Sequence, residues 1–169
     1  MDFTVGKATM DDLSGIKRLY EQLIEQSDDA EMMRRRYSEI MNDDDVLIVV
    51  ARDSKGNVIG SVNGYICRII CWGCSAFMVV EDVIVDKDHR KKGIGTALMK
   101  HLDDFAARNN CAYSIIVSTD KDERKDAHRF YEDIGYNRTG AVKGFRKVYD
   151  PERMDEMKAN TRKRSRNAE

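Results

Sequence analysis

The stretch from Ala76 to Thr119 limits the fold more than any other: AFMVVEDVIVD, then HRKKGIGTALMKHLDDFAARNN, then YSIIVST. An apolar run of strand length, a glycine corner, a helical stripe and a second apolar run predict strand, helix, strand. Ile94, Ala97, Leu98, Leu102, Phe105 and Ala106 trace the stripe, with Lys100, Asp103, Asp104 and Arg108 on the outer face. A helical crossover of this kind joins parallel strands of one sheet, and the connection is right-handed. Ligands of such sheets gather at the carboxyl ends of strands, and the glycine corner lies at one.

The other elements arrange themselves around this unit. FTVGKAT predicts a first strand, and Thr9 with Asp12 in TMDD is a capping-box-like helix start. Leu13, Ile16, Leu19, Leu23 and Ile24 then recur at helical spacing, and a weaker helix is expected from about Glu31 to Met41. VLIVVARD and VIGSVNGYICRII flank the turn SKGN as antiparallel partners. DERKDAHRFYEDIG predicts a further helix closed by Gly135 as a left-handed cap, and GFRKVYD a late strand. This order gives an α/β (α+β) fold with a mixed sheet and helices on both faces. One domain is expected over residues 1–150, followed by a polar, basic tail over residues 151–169.

With 169 residues, a formal net charge of -1 and 35% charged residues, the chain has room for one core and lacks the general positive charge of a nucleic-acid binder. No stretch reaches the roughly 18 apolar residues of a membrane span, and MDFTVGKATM lacks a signal-peptide core, so a soluble, cytoplasmic protein without a membrane partner is expected. Cys67, Cys71, Cys74 and Cys111 are expected as thiols. The three in CRIICWGC have metal-ligand spacing but no fourth ligand nearby, so they are read as small apolar fillers, with no metal. Asp28, Asp29, Glu31 and Asp43 to Asp45 form either solvated caps or an electronegative rim that attracts a cation.

A helix that starts at or just after Gly93 leaves its first amides without acceptors, and the helix dipole adds positive charge there. Gly93 and Gly95 carry no side chain to hold a ligand off the backbone, and Arg90, Lys91 and Lys92 add three cations. Together they read as a phosphate cradle, against the plainer alternative of a tight turn with solvated lysines. The spacing fits neither a P-loop nor the three-glycine dinucleotide fingerprint.

Arg90-Lys91-Lys92-Gly93-Ile94-Gly95 matches the R/Q-x-x-G-x-G/A signature of the GNAT family of acetyl-CoA-dependent N-acetyltransferases, after a strand and before a helix. AHRFYEDIGY resembles that family's second signature, A-x-x-F-Y-x-x-x-G-F/Y, and GKATMDDLSGIKRLYEQL is similar to its first strand and helix. The resemblance spans Phe3 to Tyr149. It implies a mixed, mostly antiparallel central sheet with a splayed parallel strand pair, and acetyl-CoA as co-substrate. The backbone of Val83, Ile84 and Val85 would pair with the pantetheine arm. Residues Lys91, Lys92, Gly93, Ile94, Gly95 and Thr96 would meet the pyrophosphate, with Arg90 steadying the turn or the phosphates. A homodimer is a common assembly of the family. Arg124 stands where many members carry a cofactor-contacting asparagine, so that contact is not carried over.

Acetyl transfer to an amine needs a base to free the nucleophile and an acid to protonate the departing thiolate. The family motif places Tyr131 beside the sulfur as the acid; read without it, Phe130-Tyr131 is helix packing. Glu81 and Asp82 are neighbours in VVEDVIVD, so strand alternation puts one carboxylate on each face of a covered sheet, a costly burial unless paired or functional. The stretch VEDVIVDKDHRKKGIG is also similar to spermidine/spermine acetyltransferases, which implies Glu81 as a base acting through water and Asp82 as acceptor-site support. His89, His101 and His128 have no convincing partner in the sequence, and Cys111 at the end of Asn109-Asn110-Cys111 has no adjacent base. The expectation is an N-acetyltransferase acting on a primary amine by direct attack in a ternary complex, with a small cationic, polyamine-like acceptor. The alternatives are a non-catalytic acyl-CoA-binding domain, or acetylation of a protein amine.

Overall fold

Strands β1 (Phe3–Lys7), β2 (Val46–Asp53), β3 (Val58–Arg68), β4 (Ala76–Val85) and β5 (Cys111–Ile116) form one sheet in sequence order. The first four run antiparallel, and β4 and β5 are parallel. This computed structural model describes residues 2–23, 29–71, 73 and 75–137. The expected late strand GFRKVYD, the tail after residue 150, Ile24 and Cys74 lie outside them.

Helices α1 (Leu13–Leu23) and α2 (Ala30–Ile40) precede β2, and the crossover helix α3 (Ile94–Arg108) joins β4 to β5. Adjacent residues of β3 show how the two faces are used. A Cβ placed on Gly64 would lie 2.9 Å from Leu102 of α3, and one on Gly60 would lie 3.0 Å from Leu98 and 3.1 Å from Ile94. These two glycines, four apart on one face, let α3 press against the strand. Asn63 points the other way, to Tyr20 of α1, and Gly15 of α1 packs against Val58 on the same side. Helices therefore cover both faces, as the alternation required. Ile94, Leu98, Met99, Leu102, Phe105 and Ala106 are the buried residues of α3; Met99 takes the place expected for Ala97.

Local chemistry fixes the ends of these elements. The Asp12 carboxylate accepts from Thr9 N and Thr9 Oγ1 and from Arg52 Nε and Nη2, which locks the entry to α1 onto β2. Asp29 caps α2 by accepting from Met32 N, Asp43 accepts from Asp45 N, and Asp45 pairs with Arg68. Asp29, Asp43 and Asp45 thus act as caps and partners. Strand β5 starts two residues earlier than expected: Asn110, at φ 53, turns the chain straight out of α3 and puts Cys111 in the strand.

The chain divides into two compact units, Met1–Val117 and Ser118–Glu169. Within the second, helix α4 (Lys125–Asp133) ends as its sequence predicts. Gly135, at φ 100, lets its own amide reach Glu132 O and the Tyr136 amide reach Tyr131 O. This pair of reverse bonds satisfies carbonyls of the last turn.

Candidate functional site

The parallel pairing of β4 with β5 runs from Ala76↔Cys111 to Val80↔Ile116 and stops. On its other edge β4 stays paired with β3 to Gly60↔Val85. Among the described residues, then, Glu81 to Val85 has a sheet edge with no strand on it. Backbone N–H and C=O groups on such an edge are ready to pair with an extended ligand.

The chain continues from this edge into the glycine corner. Arg90 Nε donates to Val85 O at 3.2 Å, and Lys92 Nζ donates to Asp88 O at 2.8 Å, so two of the three cations brace the turn. Lys91 and Gly93 both take left-handed backbone, with φ 60 and φ 79. Gly93 is the N-cap of α3 and offers no side chain to its first amides, whereas Asp29 caps α2 with its carboxylate. The first intrahelical bond is from Ala97 N to Gly93 O, which leaves the amides of Ile94, Gly95 and Thr96 at the head of the helix dipole. A Cβ built on Gly93 would find nothing within 4 Å. The corner is bare, open and rich in donors, which suits a phosphate.

At the start of the unpaired edge lies a bulge. Register changes from Ser61↔Ile84 to Asn63↔Glu81, and Asp82 absorbs the extra residue at φ 54. This corrects the expectation that Glu81 and Asp82 lie on opposite faces. Left-handed backbone at Asp82 breaks the alternation, and its carboxylate accepts from Asn63 Nδ2 at 2.8 Å, on the face where Asn63 stands opposite Glu81. The two carboxylates share one side of the sheet. Glu81 is exposed rather than enclosed, and Asp82 half-buried. Partial desolvation, then the charge of Asp82, pushes the Glu81 carboxyl above its ordinary value.

Tyr20 and Tyr65 complete this polar corner, and the sequence did not single them out. Asn63 Nδ2 donates to the Tyr20 hydroxyl at 3.1 Å as well as to Asp82. Burial, then the nearby Asp82 charge, holds the Tyr20 hydroxyl above its ordinary pKa, and the same causes raise Tyr65. Both tyrosines stay protonated donors at neutral pH. The available signal was Asn63 itself, an amide in a largely apolar, buried strand.

In the second unit Tyr131 is buried on α4, its ring 5.6 Å from Phe130 and 6.3 Å from Tyr136. Arg124 precedes α4 as its N-cap. His128 Nε2 lies 3.1 Å from Ser118 Oγ, a partner the sequence had not suggested. His101 is half-buried. Burial pushes the Cys111 thiol up, away from a reactive thiolate. Among the described residues no cluster of three or more His, Cys, Asp or Glu could hold a metal, and no helix is long and apolar enough to cross a membrane.

The model of the acetyltransferase (GNAT) family matches residues 13–136. An uncharacterized N-acetyltransferase of Methanocaldococcus jannaschii is 25% identical over 152 residues, covering 85% of this chain. The chain spans 64% of that relative's length. Among solved structures, glucosamine-6-phosphate N-acetyltransferase from Arabidopsis thaliana superposes with a TM-score of 0.75 at 26% identity, over 89% of this chain and 100% of that one. AAC(6')-Iy, in complex with the bisubstrate analog CoA-S-monomethyl-acetylneamine, superposes with a TM-score of 0.73 at 18% identity, over 88% and 99%.

Proposed function

The chain belongs to the acetyltransferase (GNAT) family, and from that premise we propose that it moves the acetyl group of acetyl-CoA to a primary amine by direct attack in a ternary complex. The observation that carries the reading is the end of β4–β5 pairing at Val80↔Ile116, which leaves an open edge leading into the uncapped start of α3. In this reading the backbone of Val83, Ile84 and Val85 pairs with the pantetheine arm. The amides from Lys91 through Thr96 receive the pyrophosphate, with Arg90 steadying the turn through Val85 O. Acetyl-CoA supplies an activated acyl carbon; the chain supplies position and proton transfer.

Glu81 is the proposed base. Its raised pKa brings it nearer to neutrality, where a general base works best, and its exposure admits a water between it and the amine. Asp82 supports the acceptor's positive charge. Tyr131 is the proposed acid that returns a proton to the departing sulfur, a role assigned from the A-x-x-F-Y-x-x-x-G-Y motif.

The acceptor is proposed to be a small cationic, polyamine-like amine, since two carboxylates on one side of β4 favour a cation. The solved structures with glucosamine-6-phosphate and aminoglycoside acceptors in their names make amino sugars the comparison to run. The transferase domain is placed at residues 1–150, with a basic tail after it. A cytoplasmic location and a homodimer belong to the same proposal; solution mass and cell fractionation test them. The function itself is tested by mass-detected acetylation of polyamines, aminoglycosides, glucosamine-6-phosphate, lysine peptides and peptides with free N-termini. Acetylation of a polyamine, lost in Glu81→Gln, supports the proposal. Transfer to peptides alone would reassign the acceptor, and acetyl-CoA binding with no transfer would make the chain a non-catalytic binder.

A further inference from the structure

Asp86, the residue that follows β4, is 5% exposed and uses every hydrogen-bonding group it has. Its Oδ2 accepts from Arg18 Nη1 at 2.5 Å and from Gln22 Nε2 at 3.3 Å. Its Oδ1 accepts from Asp88 N at 3.0 Å and lies 3.4 Å from His89 Nδ1. Its amide donates to Ile59 O, and its carbonyl accepts from His89 N. Arg18 and Gln22 sit one helical turn apart on α1 and reach further: Arg18 Nη2 donates to Val58 O at 2.7 Å, and Gln22 Oε1 accepts from Lys87 N at 3.2 Å.

The backbone bond to Ile59 alone would hold this residue beside β3. The remaining bonds fix the direction in which the chain leaves β4, folding Asp86 to His89 into a tight knuckle just before Arg90. Everything the corner offers a phosphate follows within the next ten residues of chain. With Arg18 half-exposed, its ion pair with Asp86 adds little net stability; its fixed donors and acceptors supply geometry.

We propose that Asp86, with Arg18 and Gln22, is a positioning cluster that aims the glycine corner at the phosphates of coenzyme A, α1 acting as the bracket. This rests on the acetyl-CoA reading above. None of the three side chains touches the cofactor; they act through the backbone of residues 86–90.

Asp12 provides the control for a general loosening of α1: it is 6% exposed, is bound by Arg52 at 2.6 and 2.7 Å, and ties the start of α1 to β2 rather than the later turns of α1 to the corner. Coenzyme A affinity by calorimetry and thermal midpoints are measured for the wild type, Asp86→Asn, Gln22→Ala and Asp12→Asn. Both Asp→Asn variants lower the midpoint, but only Asp86→Asn and Gln22→Ala weaken coenzyme A binding, by about tenfold or more for Asp86→Asn. In turnover, KM for acetyl-CoA rises in these two while kcat at saturation stays close to wild type. Gln22→Ala, which keeps the ion pair, gives the readout if Asp86→Asn does not fold. Wild-type affinity in both variants, or an equal loss in Asp12→Asn, would overturn the proposal. A wild type that does not bind coenzyme A would overturn the acetyl-CoA reading itself.

Discussion

Gly93 is where backbone strain and ligand charge can be separated. It caps α3 at φ 79 and ψ -2, and a Cβ added there meets no atom within 4 Å. Gly93→Ala therefore pays only the left-handed backbone penalty, about 1 kcal/mol, which moves the midpoint of a chain this size by roughly 2–4 °C. Gly93→Asp carries the same strain and adds a negative charge beside the proposed phosphate. Two unit charges about 4 Å apart repel by about 1 kcal/mol in water and about 4 kcal/mol near a protein surface. A middle value of about 2 kcal/mol corresponds to roughly thirtyfold weaker coenzyme A binding for Asp than for Ala. The assay is calorimetric titration of coenzyme A into both variants at two salt concentrations, with the gap narrowing at high salt. Equal affinities for the Ala and Asp variants at low salt would refute the cradle.

As the proposed base, Glu81 would work when ionised, so turnover should rise with pH through its raised pKa; Glu81→Gln should abolish that limb and cut kcat/KM by about a hundredfold. Asp82→Asn removes the neighbouring charge and should shift the same limb to lower pH, as a pH profile of kcat/KM will show. Tyr131→Phe should lower kcat with little change in KM for acetyl-CoA, measured by thiol release. Burial alone would raise the Asp86 and Asp12 carboxyls, but hydrogen bonds from Arg18 and the Asp88 amide, and from Arg52 and Thr9, outweigh it and hold both below the usual range. Their stabilisation is therefore present above the unfolded value of about 3.9 and lost as pH falls through the lower folded values, so Asp86→Asn should be less stable at neutral pH and decline less on acidification, by chemical denaturation at a series of pH values. Gly64→Ala should destabilise by about 1–3 kcal/mol in the same assay, because its Cβ would enter the space of Leu102.

Much of the fold was legible because it rests on local rules. The period of α3, the glycine start and the apolar strands on either side determine a parallel crossover, and β4 and β5 pair in that way. Gly135 and the Thr9-Asp12 pair act as the caps their residue types suggest. What alternation could not convey was the bulge. One left-handed residue, Asp82, moves a carboxylate across the sheet, and no spacing in VVEDVIV encodes it. Arg18, Tyr20 and Gln22 were hidden for a different reason: on the sequence they are the polar face of an amphipathic helix. Only the approach of α1 to β3 and the end of β4 gives them Asp86 and Asn63 as partners. The sequence located the corner; long-range packing determines what holds it.

On the proposed reading, the edge of β4 that carries no strand among the described residues and the bare start of α3 together hold acetyl-CoA. Residue-resolved amide exchange with and without coenzyme A tests it most directly. Exchange should slow within Val83 to Val85 and from Gly93 to Thr96 on binding, with the amides of β1 and β2 unchanged. Binding that protects amides elsewhere and leaves these two stretches exchanging at their free rates would contradict it.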